Sequence, residues 1–231
     1  MGQGEPTKLS PLFEMQKRSG ATFAELAGWR MPEDYGDSER EQRAGREAVG
    51  LADESANGKI LVEGELAASV MEDVLGLGAK AVLEGAVLAE CTAYRLRPDH
   101  FFLSTSPGKD LALRRKLEVG SEGRFVTVTD MTHGWSEIRV LGPVGPGLIS
   151  KVCGLDFDDA GFPEGTARQT SVAKTNQLVL RTNWGGQPSF SMLGARSLAA
   201  YLWKVLLEAG AEWDMVPVGM KALQAIGVKG E

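Results

Sequence analysis

The sequence predicts an α+β fold made of two ferredoxin-like lobes. Three observations carry this expectation. Between residues 59 and 130 the signals run strand, helix, strand, strand, helix, strand, which is the split βαβ order. The second half of the chain nearly repeats that order. No low-complexity linker interrupts it, and 231 residues at 43% apolar and 24% charged content suit one large or two small packed domains. The predicted division is a discontinuous first lobe, residues 1–58 with 131–231, and an inserted second lobe, residues 59–130.

Residues 1–20 are polar and expected to be partly mobile. The next stretch, FAELAGWRMPEDYG at 23–36, suits neither helix nor strand, because Gly28 and Pro32 break any apolar period. Its tryptophan, Trp29, either plugs a core from a loop or walls a pocket. Asp37 and Ser38 cap a helix that begins near Glu39. The inserted lobe then opens with the strand KILV at 59–62. A helix follows over 65–75, with Leu66, Val70, Val74 and Leu75 on roughly one face. Strands at 87–96 and 101–104 are joined by the turn RPDH. A helix spans 109–119, and RFVTVT at 124–129 alternates as a half-buried strand does.

In the second half, residues 135–141 form a strand and Gly142-Pro143 opens a helix through Val152. Strands are expected at 168–172, 177–181 and 189–192. An amphipathic helix follows over 198–209, and the chain closes with a short helix and a polar tail.

Composition excludes several functions. The net charge is −6 and the pI about 5.2, with no basic stripe and interleaved aromatics, so no nucleic-acid partner is expected. No apolar run reaches 18 residues, and MGQGEPTKLS carries no signal-like segment, so the expectation is a cytoplasmic protein with no membrane partner. Two cysteines, Cys91 and Cys153, and two histidines, His100 and His133, rule out a disulfide framework and a Cys/His metal site. GxGxxG, GxxxxGK[ST] and GxSxG patterns are missing.

An ordered series of short matches says more. Pro11-Leu12, Ala27-Gly28-Trp29, Met31-Pro32, Tyr35, Gly50-Leu51, Ser55 and Gly58-Lys59 occur in the order seen in the glycine cleavage aminomethyltransferases (T-proteins). The N-terminal half resembles that folate-binding family. The stretch VTDMTHGWSEIRVLGPVGPGLISKVCGLDFDDAGFPEGTARQT and the helix LAAYLWKVLLEAG are similar to the gamma subunit of heterotetrameric sarcosine oxidase. The resemblance covers nearly the whole chain. It implies the folate-binding aminomethyltransferase fold, without the family's C-terminal barrel domain.

The resemblance also places candidate residues. The family's GG-x-x-DD-x-x-x-Y segment falls on Gly85 to Tyr94, with Glu90 where the family has an aspartate near the reactive nitrogen of tetrahydrofolate. Glu90 is therefore the candidate acid/base or amine-positioning group, and Tyr94, four residues on in a regular strand, would share its face and stack on a flat ring. Asn57 stands at a methionine position of the family, Ser191 at its pterin-binding glutamate, and Leu223 at an arginine. Trp29 and Trp184, the latter in the hairpin turn NWGGQ, complete the candidate ligand-binding set. The implied ligand is tetrahydrofolate, or a related methylated amine, between the lobes. The implied function is folate-linked one-carbon transfer. The alternative is a non-catalytic gamma-type subunit of a heteromeric sarcosine or amine oxidase or demethylase, with a flavoprotein partner or a second copy of the chain. Cys91, alternating away from Glu90, reads as core, and His133 as an exposed turn residue.

Overall fold

The computed structural model describes residues 8–228. The chain begins with strand β1 (Lys8–Leu9), helix α1 (Phe13–Arg18) and strands β2 (Thr22–Leu26) and β3 (Trp29–Asp34). These three strands make a small sheet in the order β1-β3-β2. Two expectations are corrected here. Residues 8–20 fold, while residues 1–7 lie outside the described range. FAELAGWRMPEDYG, expected to form no strand, is a hairpin. Ala27 and Gly28 both take positive φ, 50° and 81°, which is the turn a two-residue hairpin requires, so Gly28 makes the turn instead of interrupting an element. Pro32 is tolerated because β1 pairs only with Trp29 and Arg30.

Helix α2 (Ser38–Glu47) starts as expected, with the Asp37 carboxylate accepting from the Arg40 backbone N–H at 2.9 Å. Strand β4 (Gly50–Asp53) follows, and a polar link, Glu54 to Asn57, crosses to β5 (Gly58–Glu63).

The inserted segment then folds in the predicted order: α3 (Ala67–Leu75), β6 (Gly85–Val87), β7 (Thr92–Arg97), β8 (His100–Thr105), α4 (Asp110–Gly120) and β9 (Thr127–Asp130). Its five strands are ordered β6-β7-β8-β5-β9. Setting aside the edge strand β6, this is the ferredoxin-like arrangement. The single strand expected at 87–96 is corrected to a hairpin. Residues 88–91 turn between β6 and β7, with the Leu88 N–H donating to the Cys91 carbonyl at 2.8 Å.

The rest of the chain supplies β10 (Trp135–Leu141), α5 (Gly145–Ser150), β11 (Ala167–Val172), β12 (Thr175–Trp184), β13 (Gln187–Ala195), α6 (Ala199–Ala209), β14 (Val216–Val218) and α7 (Met220–Gly227). The helix expected from Gly142 begins three residues later, because Gly142 at φ 118° makes the preceding turn. The six-stranded sheet runs β11-β12-β13-β10-β4-β14. Here the repeat departs from its expected form. The slot beside β10 is filled by β4 from the N-terminal part of the chain, antiparallel with Leu51 opposite Val140. β14, which follows α6, pairs parallel with the outer edge of β4.

Alternation along the strands builds three apolar layers. Ile60, Val62, Ala93, Phe101 and Leu103 face α3 and α4. Ile138, Val140, Val179, Phe190 and Met192 face α5 and α6. The opposite faces meet: Leu61, Tyr94 and Phe102 of the five-stranded sheet pack on Leu178, Leu180 and Leu193 of the six-stranded sheet. The order is helices, sheet, sheet, helices. At one edge a short backbone seam joins the sheets, with Gly85 N–H donating to the Gly165 carbonyl at 2.7 Å and Ala167 N–H to the Leu83 carbonyl at 2.8 Å. Among the described residues no sheet closes into a barrel, and no helix is long and apolar enough to cross a membrane.

Candidate functional site

The inter-sheet layer changes character along its length. Beyond the apolar contact, polar residues replace apolar ones on the same strand faces: Lys59 on β5, Glu137 and Arg139 on β10, Ser189 and Ser191 on β13. A cleft opens there. Its inner part, about 330 Å³, is walled by Tyr94, Leu180, Thr182, Asn183 and Ser191 among others. Its outer part, about 570 Å³, reaches the surface past Leu88, Glu90, Met31 and Leu223. Asn57, Val87, Thr92, Ser104, Arg139 and Trp184 line both parts, so the two are continuous.

The polar floor is an ion cluster. Lys59 is 0% exposed, and its ammonium lies 3.3 Å from Glu137, which is 2% exposed. Lys59 also donates to the carbonyls of Asn57 at 2.8 Å and Ser55 at 3.3 Å. Arg139 donates through Nε to Glu54 and through Nη1 to the hydroxyls of Ser189 (2.7 Å) and Thr182 (3.2 Å). Two cations and two anions balance, as burial demands. Burial pushes the Glu54 carboxyl above its usual range, and Arg139 pulls it partly back. Burial opposes the charge on Arg139, but Glu54 and Glu137 together hold its pKa above the usual guanidinium value.

The candidates from the sequence separate into three groups. Asn57, Tyr94, Trp184 and Ser191 converge on the inner part of the cleft. Asn57 donates through Nδ2 to Glu137 at 3.3 Å. Trp184 is held by its Nε1–H, which donates to the Leu223 carbonyl at 2.7 Å, and its ring carries the Arg139 guanidinium at 4.8 Å from its centre. Burial raises the Tyr94 phenol from 10.0 to about 12, Arg139 lowering it and Glu137 raising it further.

Glu90 lines the outer part only. It sits in the β6–β7 turn, its side chain 47% exposed and paired with Lys116 at 2.5 Å. Glu90 and Tyr94 thus do not share a regular strand face, because the turn comes between them. Trp29 lines neither part. It is buried behind Met31 and Ala56, which do face the outer part. The exposed turn residue His133 stacks on its ring at 5.0 Å. Cys91 packs in the helix-facing core, as its alternation implied, and burial raises its thiol to about 11.

Sequence reasoning missed Glu54, Lys59, Glu137 and Arg139. A signal existed for two of them: in SEIRVL, Glu137 and Arg139 alternate with Ile138 and Val140, placing opposite charges two residues apart on one strand face. Nothing in DESANGK announces that so polar a segment is buried between two sheets.

Two ferredoxin-like sheets packed face to face over a polar cleft define an aminomethyltransferase-like α+β protein. The chain belongs to the GCVT N-terminal domain family, which matches residues 12–228. It is similar to the aminomethyltransferases of Streptomyces avermitilis, at 29% identity over 90% of this chain and 59% of the relative, and of Saccharopolyspora erythraea, at 26% over 91% and 60%. The chain therefore spans about three fifths of these curated relatives. Two solved structures share the fold. The glycine cleavage system aminomethyltransferase T from Bartonella henselae aligns with a TM-score of 0.81 at 23% identity, covering 95% of this chain and 61% of that one. A chain of the heterotetrameric sarcosine oxidase from Corynebacterium sp. U-96 aligns with a TM-score of 0.70 at 20% identity, covering 88% of this chain and 95% of that one.

Proposed function

We propose that the chain is the ligand-binding unit of an aminomethyltransferase-type protein, and that its inter-sheet cleft holds tetrahydrofolate or a related one-carbon carrier. The observation that carries this reading is the continuity of the cleft. A narrow inner part walled by Tyr94 and Trp184 suits a flat ring, and a wider outer part with Glu90 on its wall suits a reacting amine. Glu90 then serves as the group that positions or deprotonates the amine. Its pairing with Lys116 at the surface keeps the carboxylate close to the opening.

Titration calorimetry with tetrahydrofolate tests the reading. Saturable binding is expected, weakened by about tenfold in Glu90→Ala, the scale of one charge-assisted hydrogen bond. Trp29→Phe should leave affinity unchanged, since Trp29 stands behind the wall. Absence of heat at millimolar ligand would sink the folate reading for this chain.

A second reading draws support from the sarcosine oxidase likeness, which extends over nearly the whole of that chain. In it the chain is a subunit of a heteromeric amine oxidase or demethylase. Affinity purification of the tagged chain from its native host, followed by a flavin absorbance spectrum, tests this. A stoichiometric flavoprotein partner supports it, and a lone monomer or homo-oligomer counts against it.

A further inference from the structure

The floor of the inner cleft is balanced in charge but not fully paired. Glu137 is 2% exposed, and both of its partners, the Lys59 ammonium and the Asn57 amide, lie on Oε2 at 3.3 Å. Its Oε1 takes no hydrogen bond from the described residues and is not sealed away from the cleft that Glu137 lines. Arg139, two residues on and also buried, is in the matching state. Its Nε and Nη1 are committed to Glu54, Ser189 and Thr182, while Nη2 has no partner among the described residues and opens on the same space. Glu164 also keeps one oxygen free of the Asn183 amide, but Glu164 is exposed, and water serves it there.

Strand geometry sets the two free groups side by side. Residues two apart on a strand share a face and stand about 7 Å apart along it. Ile138, between them, points into the helix-facing core. Opposite them on β13 are Leu193, which is apolar, and Ser191, which carries only a hydroxyl.

A carboxylate oxygen can only accept, and a guanidinium N–H can only donate. The floor therefore offers one acceptor beside one donor. Lys59 and Glu54 already balance the two charges, so a free ion gains little there. The ligand edge that fits is neutral, with N–H donors at one end and a carbonyl at the other. An edge that sets an amino group against Arg139 leaves donor facing donor in a buried site.

We propose that Glu137 and Arg139 together read the ring of the ligand. Glu137 Oε1 accepts from its amino and ring N–H groups, and Arg139 Nη2 donates to the carbonyl beside them. The edge so selected is that of a 2-amino-4-oxopyrimidine. This deepens the reading proposed above and rests on its flat-ring ligand. A reduced pterin and a guanine present the same edge, and the probes separate the two.

The full chain is titrated calorimetrically at mildly alkaline pH, where the rings are neutral. The first series is tetrahydrofolate, its 4-amino counterpart tetrahydroaminopterin, and its 2-deamino counterpart. The second is guanosine, 2,6-diaminopurine riboside and inosine, which carry the same three edges. The parent should bind tetrahydrofolate at least about tenfold more tightly than either altered ring, the scale of one charge-assisted hydrogen bond. Two variants should split these preferences. Arg139→Lys keeps a cation beside Glu54 but loses the forked donor, so it should lose the 4-oxo preference and keep the 2-amino one. Glu137→Gln can turn either its oxygen or its amide N–H to the ring, so it should lose the 2-amino preference and keep the 4-oxo one. If Glu137→Gln fails to melt cooperatively because Lys59 has lost its counter-ion, Lys59→Met combined with Glu137→Gln removes both charges and carries the same test. Equal affinity of the parent for the three folates, or variants that weaken all of them alike, would overturn the assignment and leave the one-carbon reading standing. If only the guanosine series binds, with its preferences split in this way, the assignment stands and the one-carbon reading falls. Binding of neither series would overturn both.

Discussion

At the scale of the residue, the cleft floor is defined by charges that cannot be removed singly. Arg139→Met would leave Glu54 buried beside Glu137 without its counter-ion. Breaking a buried pair in this way costs about 3–5 kcal/mol, and urea unfolding of the variant should show it. Adding Glu54→Leu should recover much of that loss, because a pair of apolar side chains replaces a pair of charges. Tyr94 sets a pH dependence of its own. Its folded pKa of about 12 lies above the ordinary value of 10.0. The stability this contributes is complete below pH 10 and is lost as pH rises through 12. The shift corresponds to about 2–3 kcal/mol, so chemical denaturation between pH 9 and 12 should fall less steeply in Tyr94→Phe than in the parent. Tyr35, whose phenol burial also raises, contributes in the same sense. Residues of this kind are poorly legible in a sequence. Lys59 opens a hydrophobic strand and looks like a surface lysine, and only the sheet stacked above it makes it a buried one.

At the scale of the element, hairpin turns place the functional side chains. Trp184 ends β12, and Gly185 and Gly186 both take positive φ, 59° and 82°. A Cβ on Gly185 would come within 1.9 Å of the Ile226 carbonyl in α7. Gly185→Ala should therefore cost about 1–3 kcal/mol through backbone strain and the displaced helix. Its thermal midpoint should fall, and Trp184 fluorescence should change as the Leu223 carbonyl moves away. The NWGGQ turn is readable from its glycines, and the RPDH turn from its Pro98-Asp99 pair. The β6–β7 turn was not, because LAEC contains neither glycine nor proline and its flanks continue the β signal. That miss displaced Glu90 from a strand face to a rim. The hairpin at 22–34 was missed for the opposite reason. Gly28 and Pro32 read as breakers in the sequence, whereas Gly28 makes the turn and Pro32 lies past the end of β1.

At the scale of the whole molecule, the ends of the described chain are tied together. Glu41 on α2 is buried, and its two carboxylate oxygens accept from the N–H of Tyr35 at 2.7 Å and of Gly219 at 2.8 Å. Glu41→Ala leaves two amides in a dry environment, at about 1–3 kcal/mol each. Hydrogen exchange should then quicken together at Tyr35 and at the start of α7, though the two are far apart in sequence. The inserted lobe was legible because its order is local and complete within one segment. The other lobe was only half legible, because no local signal marks GLAD, residues 50–53, as the strand that joins β10 from the other end of the chain. That borrowing has a consequence for synthesis. β4 leaves the ribosome before the whole inserted lobe, and β10, the strand it must lie against, follows that lobe. The five-stranded sheet can therefore close around its own helices while β4 waits unpaired. The loop closed when β4 finally docks is long, and such non-local pairing is slow. During that interval the nascent chain exposes a bare β-edge, GLAD, whose shortness limits its capacity to pair with a neighbouring chain.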